Sequence, residues 1–268
     1  MQIYCITHKI LNFIEKLNFI PCGVGKLNFP KNYIDEKNGE NISFKNHNYG
    51  ELTFHYWFWK NRLNSLKKNE WFGICHYRRF FINEKISFEI DNWKDLNNIL
   101  LKQPKKEWDV LDVILCDPIS VENQKIMKLL KRGLKSIIRN PAILYNKKKR
   151  SIKLHFDMFH GYSNLEKAIN LLPERDREDF SRYVNEKTSF SPNCMYLSNN
   201  KEIVFNFYSN LFSWLQKCED IFGFSNTRNY DTQRIYTFLT ERYLPFWFEK
   251  YANVGYSPWL FKDNIKEV

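Results

Sequence analysis

The sequence predicts an α/β fold. Two short apolar runs, residues 71–75 (WFGIC) and 108–116 (WDVLDVILC), are rich in aromatic and branched side chains and read as buried strands. Segments with helical spacing separate them, and helices alternating with buried strands define the α/β class.

In chain order, residues 1–7 form a first strand closed by Thr7-His8-Lys9. Residues 28–48, rich in Asn, Lys and Gly, read as a loop. Asn48 then opens a helix, with Glu51 three places on completing a capping box. That helix runs through Leu52, Tyr56, Trp57 and Trp59 and stops near Lys60-Asn61. After the strand at 71–75, residues 91–102 are helical and 108–116 form another strand, ending at Asp117-Pro118. Residues 125–150 read as a basic amphipathic helix. Residues 154–161 (LHFDMFHG) lead into a helix over 164–172, then a late strand over 189–198, an aromatic helix over 205–218 and a last long helix over 231–250. No internal repeat and no clear domain boundary interrupts this order. The expectation is one domain over residues 1–268 with a basic helical insertion around 121–185.

Composition narrows the class. The 268 residues are 43% hydrophobic, enough for a sizeable core, and 9 glycines with 9 prolines exclude low complexity. No stretch approaches the length of a membrane-spanning helix. Residues 1–6 read as a strand and not as a secretory leader. The 6 cysteines are widely spread without a CxxC pair, which argues against zinc and for reduced, buried thiols in the cytoplasm. The net charge of +11 favours anionic partners: phosphorylated substrates, anionic headgroups or nucleic acid. No RNP-like aromatic motif or glycine-rich clamp accompanies that charge, so nucleic acid is not the expected partner. The basic segment at 125–150 fits a helix lying on an anionic membrane surface, or a solvated helix face.

The most informative stretch is residues 71–81, WFGICHYRRFF. An apolar strand breaks abruptly into His76, Tyr77, Arg78 and Arg79. Ligands of open α/β sheets sit at the carboxyl ends of strands. Two adjacent arginines there suit a phosphorylated ligand, because guanidinium forks match phosphate oxygens. An exposed turn is the alternative.

The order IYCITHK, GENISFKNHNYGELTFHYWFWKN, WFGICHYRRFF, DVIL, SPNCMYLS and YDTQRIYTFLTERYLPFWF resembles a bacterial family of capsular and exopolysaccharide gene clusters, domain of unknown function 4422. The resemblance runs from Ile3 to about Phe248; NYGELT with YWFWKN, and GICHYRRFF, are its most specific parts. Residues 125–172 match the family pattern poorly. The resemblance implies a GT-A-like (Rossmann-like) nucleotide-diphosphosugar transferase fold, a mixed sheet flanked by helices. It also implies a glycosyltransferase that moves a sugar, with galactofuranose as a hint, from a nucleotide donor to a growing surface glycan or lipid-linked acceptor. The expected setting is cytoplasmic, peripheral to the inner membrane face. Related enzymes hold a divalent metal with an Asp-x-Asp pair. Here His76-Tyr77-Arg78 stands at that place, so Arg78 and Arg79 are expected to stabilise the leaving diphosphate with no metal. Magnesium or manganese held by Asp117 or Asp231 is the alternative.

For donor binding the reading nominates Thr7, His8 and Lys9 at the first strand end, Asn41, Ser43 and Tyr49 before a helix N-terminus, and His76, Tyr77, Arg78 and Arg79. For acceptor binding it nominates Asn193, Gln233, Arg234 and Arg242. Arg242 falls inside the apolar stripe of Ile235, Phe238, Leu239, Tyr243 and Phe246, where a guanidinium needs a partner or a ligand. Asp157 is the candidate base for the acceptor hydroxyl, with Asp231 and Glu241 as further catalytic carboxylates and Arg78 as the fourth catalytic residue. A turn aspartate, a helix cap and an arginine partner are the respective alternatives. A non-catalytic scaffold and a nucleic-acid-binding basic protein are the competing functions.

Overall fold

The computed structural model describes residues 1–224 and 230–267. Its strands are β1 (Gln2–Thr7), β2 (Ile20–Gly23), β3 (Ile34–Asp35), β4 (Phe72–His76), β5 (Arg79–Phe81), β6 (Val113–Cys116), β7 (Ile119–Ser120), β8 (Ser189–Phe190), β9 (Tyr196–Ser198), β10 (Val254–Ser257) and β11 (Trp259–Phe261). Its helices are α1 (Phe13–Lys16), α2 (Asn46–Tyr49), α3 (Leu52–Asn61), α4 (Trp93–Ile99), α5 (Ile126–Arg132), α6 (Leu134–Arg139), α7 (Ile152–His160), α8 (Asn164–Ile169), α9 (Glu174–Glu186), α10 (Lys201–Phe222), α11 (Tyr230–Gln233) and α12 (Ile235–Tyr251). The chain forms two compact units. One comprises Met1–Asp117, Asn193–Tyr208 and Phe248–Val268, the other Pro118–Pro192 and Ser209–Trp247.

The first unit is built on a mixed sheet in the order β10-β6-β9-β4-β1-β2-β3, with β5 and β11 attached beside β4. Strands β1, β2, β3 and β4 run parallel, as do β6 and β10, while β9 lies antiparallel between β4 and β6. Side chains alternate across the sheet. Ile3, Cys5, Cys75, Ile114, Cys116 and Leu197 point to one face, where Phe13 and Ile14 of α1 and Leu96 of α4 complete a core. Tyr4, Phe72 and Tyr196 point to the other. There Phe54 and Phe58 of α3 pack on Tyr4, and Tyr208 and Phe248 pack on Tyr196. Burial on both faces explains why β4 and β6 read as continuous apolar runs. Gly73 is required where β4 meets β9: a Cβ there would come within 2.2 Å of Leu197 Cδ2 and 2.9 Å of the Tyr196 carbonyl. The six cysteines are buried and form no disulfide.

The second unit is helical apart from the short β7–β8 pair. Its basic segment is not one helix. Gly133 separates α5 from α6, and Pro141 follows α6. A Cβ on Gly133 would lie 2.8 Å from the Leu129 carbonyl and 3.4 Å from Met158, so glycine allows the close approach to α7. Arg150, the last cation of that segment, is buried and donates to the carbonyls of Ile143, Leu144, Glu122 and Gln124 at 2.9–3.1 Å. It ties the loop before α5 to the turn after α6.

Other elements also differ from expectation. Asn48 lies inside α2. Gly50, at φ 55°, ends that helix, and Glu51 makes no side-chain cap, so the capping box does not form. The strand expected over 108–116 starts only at Val113, because the Asp112 carboxylate accepts from Asn200 Nδ2 and the Asn253 amide at the strand's entrance. The stretch 189–198 is two strands in two sheets, parted by Asn193 and Cys194 at φ 79° and 51°. The last helix is broken before Ile235, and Asp231 lies in the first turn of α11, not at the cap of a continuous helix. Strands β2, β3, β10 and β11 were not anticipated. Among the described residues no helix is long and apolar enough to cross a membrane.

Replacing Arg150 with Leu strands four carbonyls around an apolar side chain. The expected result is a loss of about 3 kcal/mol, read as a lowered urea midpoint with an unchanged m-value.

Candidate functional site

In the first unit, parallel strands bring their carboxyl ends to one edge of the sheet. Thr7, Gly23 and His76 end neighbouring strands there, Cys116 ends β6, and antiparallel β9 begins at that edge. The His76 ring is buried, and its Nε2 lies 2.8 Å from the Asn193 carbonyl oxygen. A carbonyl only accepts, so Nε2 carries the proton. Burial, together with the Arg79 and Arg78 charges, pushes the His76 pKa down to about 3, so the ring is neutral. The edge's positive charge therefore comes from its arginines and lysine.

Arg78 is half-buried. Its Nη1 lies 3.1 Å from Asp263 Oδ2, and its guanidinium lies over Tyr77 at 5.0 Å. The Arg78 contact holds the Asp263 carboxyl below its ordinary range. Arg79 lies over Phe261 at 5.5 Å and is close enough to Cys116 to act on its thiol electrostatically. The exposed His8 ring meets Tyr77 edge-on at 5.1 Å, and Lys9 Nζ is 5.6 Å from the Tyr77 ring centre. Tyr77 is thus the apolar floor beneath His8, Lys9 and Arg78. Two buried donors at this edge, Arg78 Nε and Asn193 Nδ2, have no hydrogen-bond partner among the described residues. Asn193 is also held at φ 79°, a conformation rare for a side-chain-bearing residue and concentrated at functional sites.

Other nominated residues in this unit have local roles. Thr7 Oγ1 donates to the Lys9 carbonyl and accepts from the Lys9 amide, closing a turn after β1. Asn41 Oδ1 accepts from the Ser43 amide and hydroxyl, and its Nδ2 donates to Lys37 and Gly39. Tyr49 is buried, with Lys45 Nζ 5.7 Å from its ring centre. Glu36 lies beside this loop and was not singled out in the sequence. It is fully buried, accepts from the Gly25 amide at 2.9 Å, and has its pKa pushed up to about 7 by burial.

The remaining nominated residues lie in the second unit, apart from Asn193. Asp157 on α7 is buried. Its Oδ2 meets Lys153 Nζ at 2.7 Å, and its Oδ1 accepts from the Ser163 amide at 3.1 Å. Burial raises its pKa against these two contacts. Asp157 lines a cavity of about 470 Å³ with Ser151, Lys153, Arg139, Tyr162 and Asn185. That volume is of ligand size. Arg242 is buried and meets Glu241 Oε2 at 2.7 Å. Its Nη2 donates to His155 Nδ1 at 3.1 Å, and its guanidinium lies over Phe190 at 4.6 Å. The guanidinium expected to need a partner has one in Glu241. The Asp231 carbonyl accepts from His160 Nδ1, and its carboxylate lies 3.4 Å from Arg132. His160 stacks on Phe238 at 3.8 Å. Gln233 ends α11, and Arg234 lies over Tyr230 at 5.1 Å. The sequence reading did not single out His155, which accepts from Arg242 Nη2.

Among the described residues no group of three or more His, Cys, Asp or Glu side chains could hold a metal ion. At His76-Tyr77-Arg78 there is one imidazole, whose Nε2 donates to a carbonyl, beside a phenol and a cation. The carboxylates near it, Asp263 and Asp117, lie against Arg78 and Lys85.

The structure is similar to that of the WbbM bifunctional glycosyltransferase in its apo form. The TM-score is 0.70 at 22% sequence identity, covering 100% of this chain and 46% of that one. The chain thus spans less than half the length of that protein. The match shows the fold: the mixed sheet flanked by helices of the GT-A-like class. No curated protein matches the sequence.

The titration of the buried rings sets an acid limit. Burial brings His55, His76 and His155 to about 3 and His160 to about 2. The unfolded chain protonates these rings near pH 6.5, so below that value it binds protons the folded chain refuses, and stability falls with pH. Glu36 and Asp157, raised in the fold, oppose this, but they are two groups against four. The urea midpoint is expected to fall steadily from pH 7.5 to pH 5. A flat profile would show that the histidines are solvated.

The family model described as Domain of unknown function (DUF4422) matches residues 2–253, and the chain belongs to that family.

Proposed function

We propose that the chain is a glycosyltransferase that uses a nucleoside-diphosphate sugar, with the donor's diphosphate at the carboxyl edge of the sheet. The observation that carries this reading is the pair of buried donors without partners, Arg78 Nε and Asn193 Nδ2, on a strand-end edge that also bears Arg79 and Lys9. Buried N–H groups without partners suit a ligand made of oxygen acceptors. They stabilise anionic oxygen without reorganising when charge develops. The similarity of the whole fold to a glycosyltransferase supports the same class.

In this reading the bond between the sugar's anomeric carbon and the diphosphate oxygen breaks, and the electron pair leaves on the diphosphate. Arg78 and Arg79 hold that charge, in place of a metal. The exposed His8 ring, packed edge-on against Tyr77, is assigned to part of the donor. An acceptor hydroxyl attacks the anomeric carbon and loses its proton to a carboxylate. Asp157 is the carboxylate nominated as base within the second unit: burial raises its pKa, and it lines a cavity of about 470 Å³ of that unit. Asp231 and Glu241 lie against Arg132 and Arg242, as Asp157 does against Lys153. The acceptor is a glycan, of the surface-polysaccharide kind suggested by the resemblance of the sequence. Gln233 and Arg234 are assigned to its binding.

Purified protein mixed with a panel of nucleotide sugars is expected to release a nucleoside diphosphate from one of them, with equal rates in EDTA. Arg78→Ala and Arg79→Ala should each lower kcat by about 10²–10³-fold while the thermal midpoint holds. Arg78→Ala with normal turnover removes the role given to that residue.

Asp157→Asn should lower kcat by about 10²–10⁴-fold and leave the calorimetric affinity for the nucleoside diphosphate unchanged. A loss of nucleotide affinity instead would mean that the residue acts on the donor.

A further inference from the structure

The basic segment of the second unit carries two apolar stripes, and only one of them is buried. Backbone bonds from Gly133 N to the Leu129 carbonyl and from Ile137 N to the Gly133 carbonyl carry the helical path from α5 into α6. Along that path Leu129 and Ile137 face inward and pack with Ile143, Leu154 and Met158. A second set steps outward at four-residue intervals: Ile126 is 55% exposed, Leu130 42%, Leu134 54% and Ile138 72%, with Met127 beside them at 77%. Residues four apart on a helix are neighbours, so Ile126 with Leu130 on α5 and Leu134 with Ile138 on α6 form two exposed aliphatic pairs on successive helices. Tyr145, on the turn beyond α6, is 81% exposed.

Within the segment the charge has one sign, and Asp231 lies 3.4 Å from Arg132. Between Glu122 and Asp157 the sequence has eleven Lys and Arg residues and no Asp or Glu. Lys125, Lys131 and Lys135 are exposed on the same two helices. Lys128 and Arg132 lie over Phe159 at 4.4 and 4.9 Å, with their stems along the helix flank.

We infer that the exposed aliphatic pairs of α5 and α6 form a membrane-docking surface that seats in the headgroup layer of an anionic lipid bilayer. An aliphatic surface bordered by cations is the pattern of a helix lying in the interface plane, and lysines reach the headgroups while their stems stay apolar. The charge decides against the other occupants. Nucleic acid is held chiefly through its phosphates and sugars, which gives an exposed row of Ile, Leu and Met nothing to contact. A second copy of the chain in a two-fold contact would set this face against itself, lysines against lysines, with no acidic residue in the segment to offset them. A bilayer containing anionic lipid satisfies both halves of the surface. The inference is independent of the glycosyl-transfer reading.

The test is co-sedimentation of the full chain with phosphatidylcholine vesicles, with and without phosphatidylglycerol. The chain is expected to pellet with the anionic vesicles, weakly with the neutral ones, and less as salt rises. Met127→Glu with Ile138→Glu removes no buried packing and should weaken binding to anionic vesicles more than tenfold at an unchanged thermal midpoint. Lys131→Gln or Lys135→Gln should each weaken it about fivefold and leave the residual binding to neutral vesicles as it was. Because the native cysteines are buried, a polarity-sensitive dye on Met127→Cys reports the contact directly, with a blue shift on anionic vesicles. Failure to pellet with anionic vesicles overturns the inference, as does equal pelleting of the Met127→Glu, Ile138→Glu variant. Equal or tighter binding to mixed-sequence DNA assigns the surface to nucleic acid, and a wild-type dimer that this double substitution dissociates assigns it to a second copy.

Discussion

Strand β4 is paired on both sides and buried on both faces, and this constrains everything that follows it. Along β4 the ladder of β1 and the ladder of β9 use its backbone groups, and side chains crowd it above and below. Polar chemistry can enter only where the strand ends. His76, its last residue, is still inside, so it stays neutral and gives its proton to the Asn193 carbonyl. That bond couples the end of β4 to Asn193, which lies three residues before β9 and has a positive φ of 79°. Arg78 and Arg79 come immediately after, too close to the sheet to reach bulk water fully, and lean on Tyr77 and Phe261. The edge is therefore cationic and stiff at once.

The single carboxylate contact of Arg78 matters because of what it leaves open. Asp263 engages Nη1, which orients the guanidinium without covering its Nε. An arginine held by one carboxylate at one end offers its remaining N–H groups in a fixed direction, whereas a mobile arginine must be ordered by its ligand. A buried imidazole that stays neutral adds no competing cation, so a ligand's negative charge is answered by the two guanidinium groups and Lys9. In the second unit the same physics is used for folding. Arg150 is satisfied wholly by carbonyls, and Arg242 by Glu241, the His155 ring and aromatic faces. The buried charge of Arg150 is closed off by those carbonyls.

What could be read from the sequence follows from the range of the forces involved. Burial on both faces writes β1, β4 and β6 into the chain as apolar runs. The change from Cys75 to His76-Tyr77-Arg78-Arg79 is the sheet's edge seen in one dimension. Strands β2 and β3 are short and carry proline, asparagine and lysine neighbours, so their pairing with β1 comes from tertiary contact and leaves no local pattern. The capping box failed because Gly50 offered a positive φ, a backbone choice that outweighs a side-chain cap. Asn41 and Ser43 were readable as polar loop residues, but their mutual bonds belong to the folded loop. Arg242 was readable as a problem, a charge inside an apolar stripe. Its solution needed Glu241 and His155, one adjacent in sequence and the other on a different helix.

The two apolar stripes of the basic segment show where periodicity stops being informative. Leu129 and Ile137 share a helix face with Gly133, and Ile126, Leu130, Leu134 and Ile138 lie on the adjoining face. In sequence the two merge into one broad stripe that any amphipathic helix bound to a core would show. Only the width of the partner separates them. Helix α7 offers Leu154 and Met158 to the inner stripe, and a single helix covers only a narrow arc of its neighbour. A stripe wider than its partner leaves aliphatic surface in water at a cost proportional to its area. The lysines beside it then decide what can relieve that cost: a surface that is apolar beneath and anionic above.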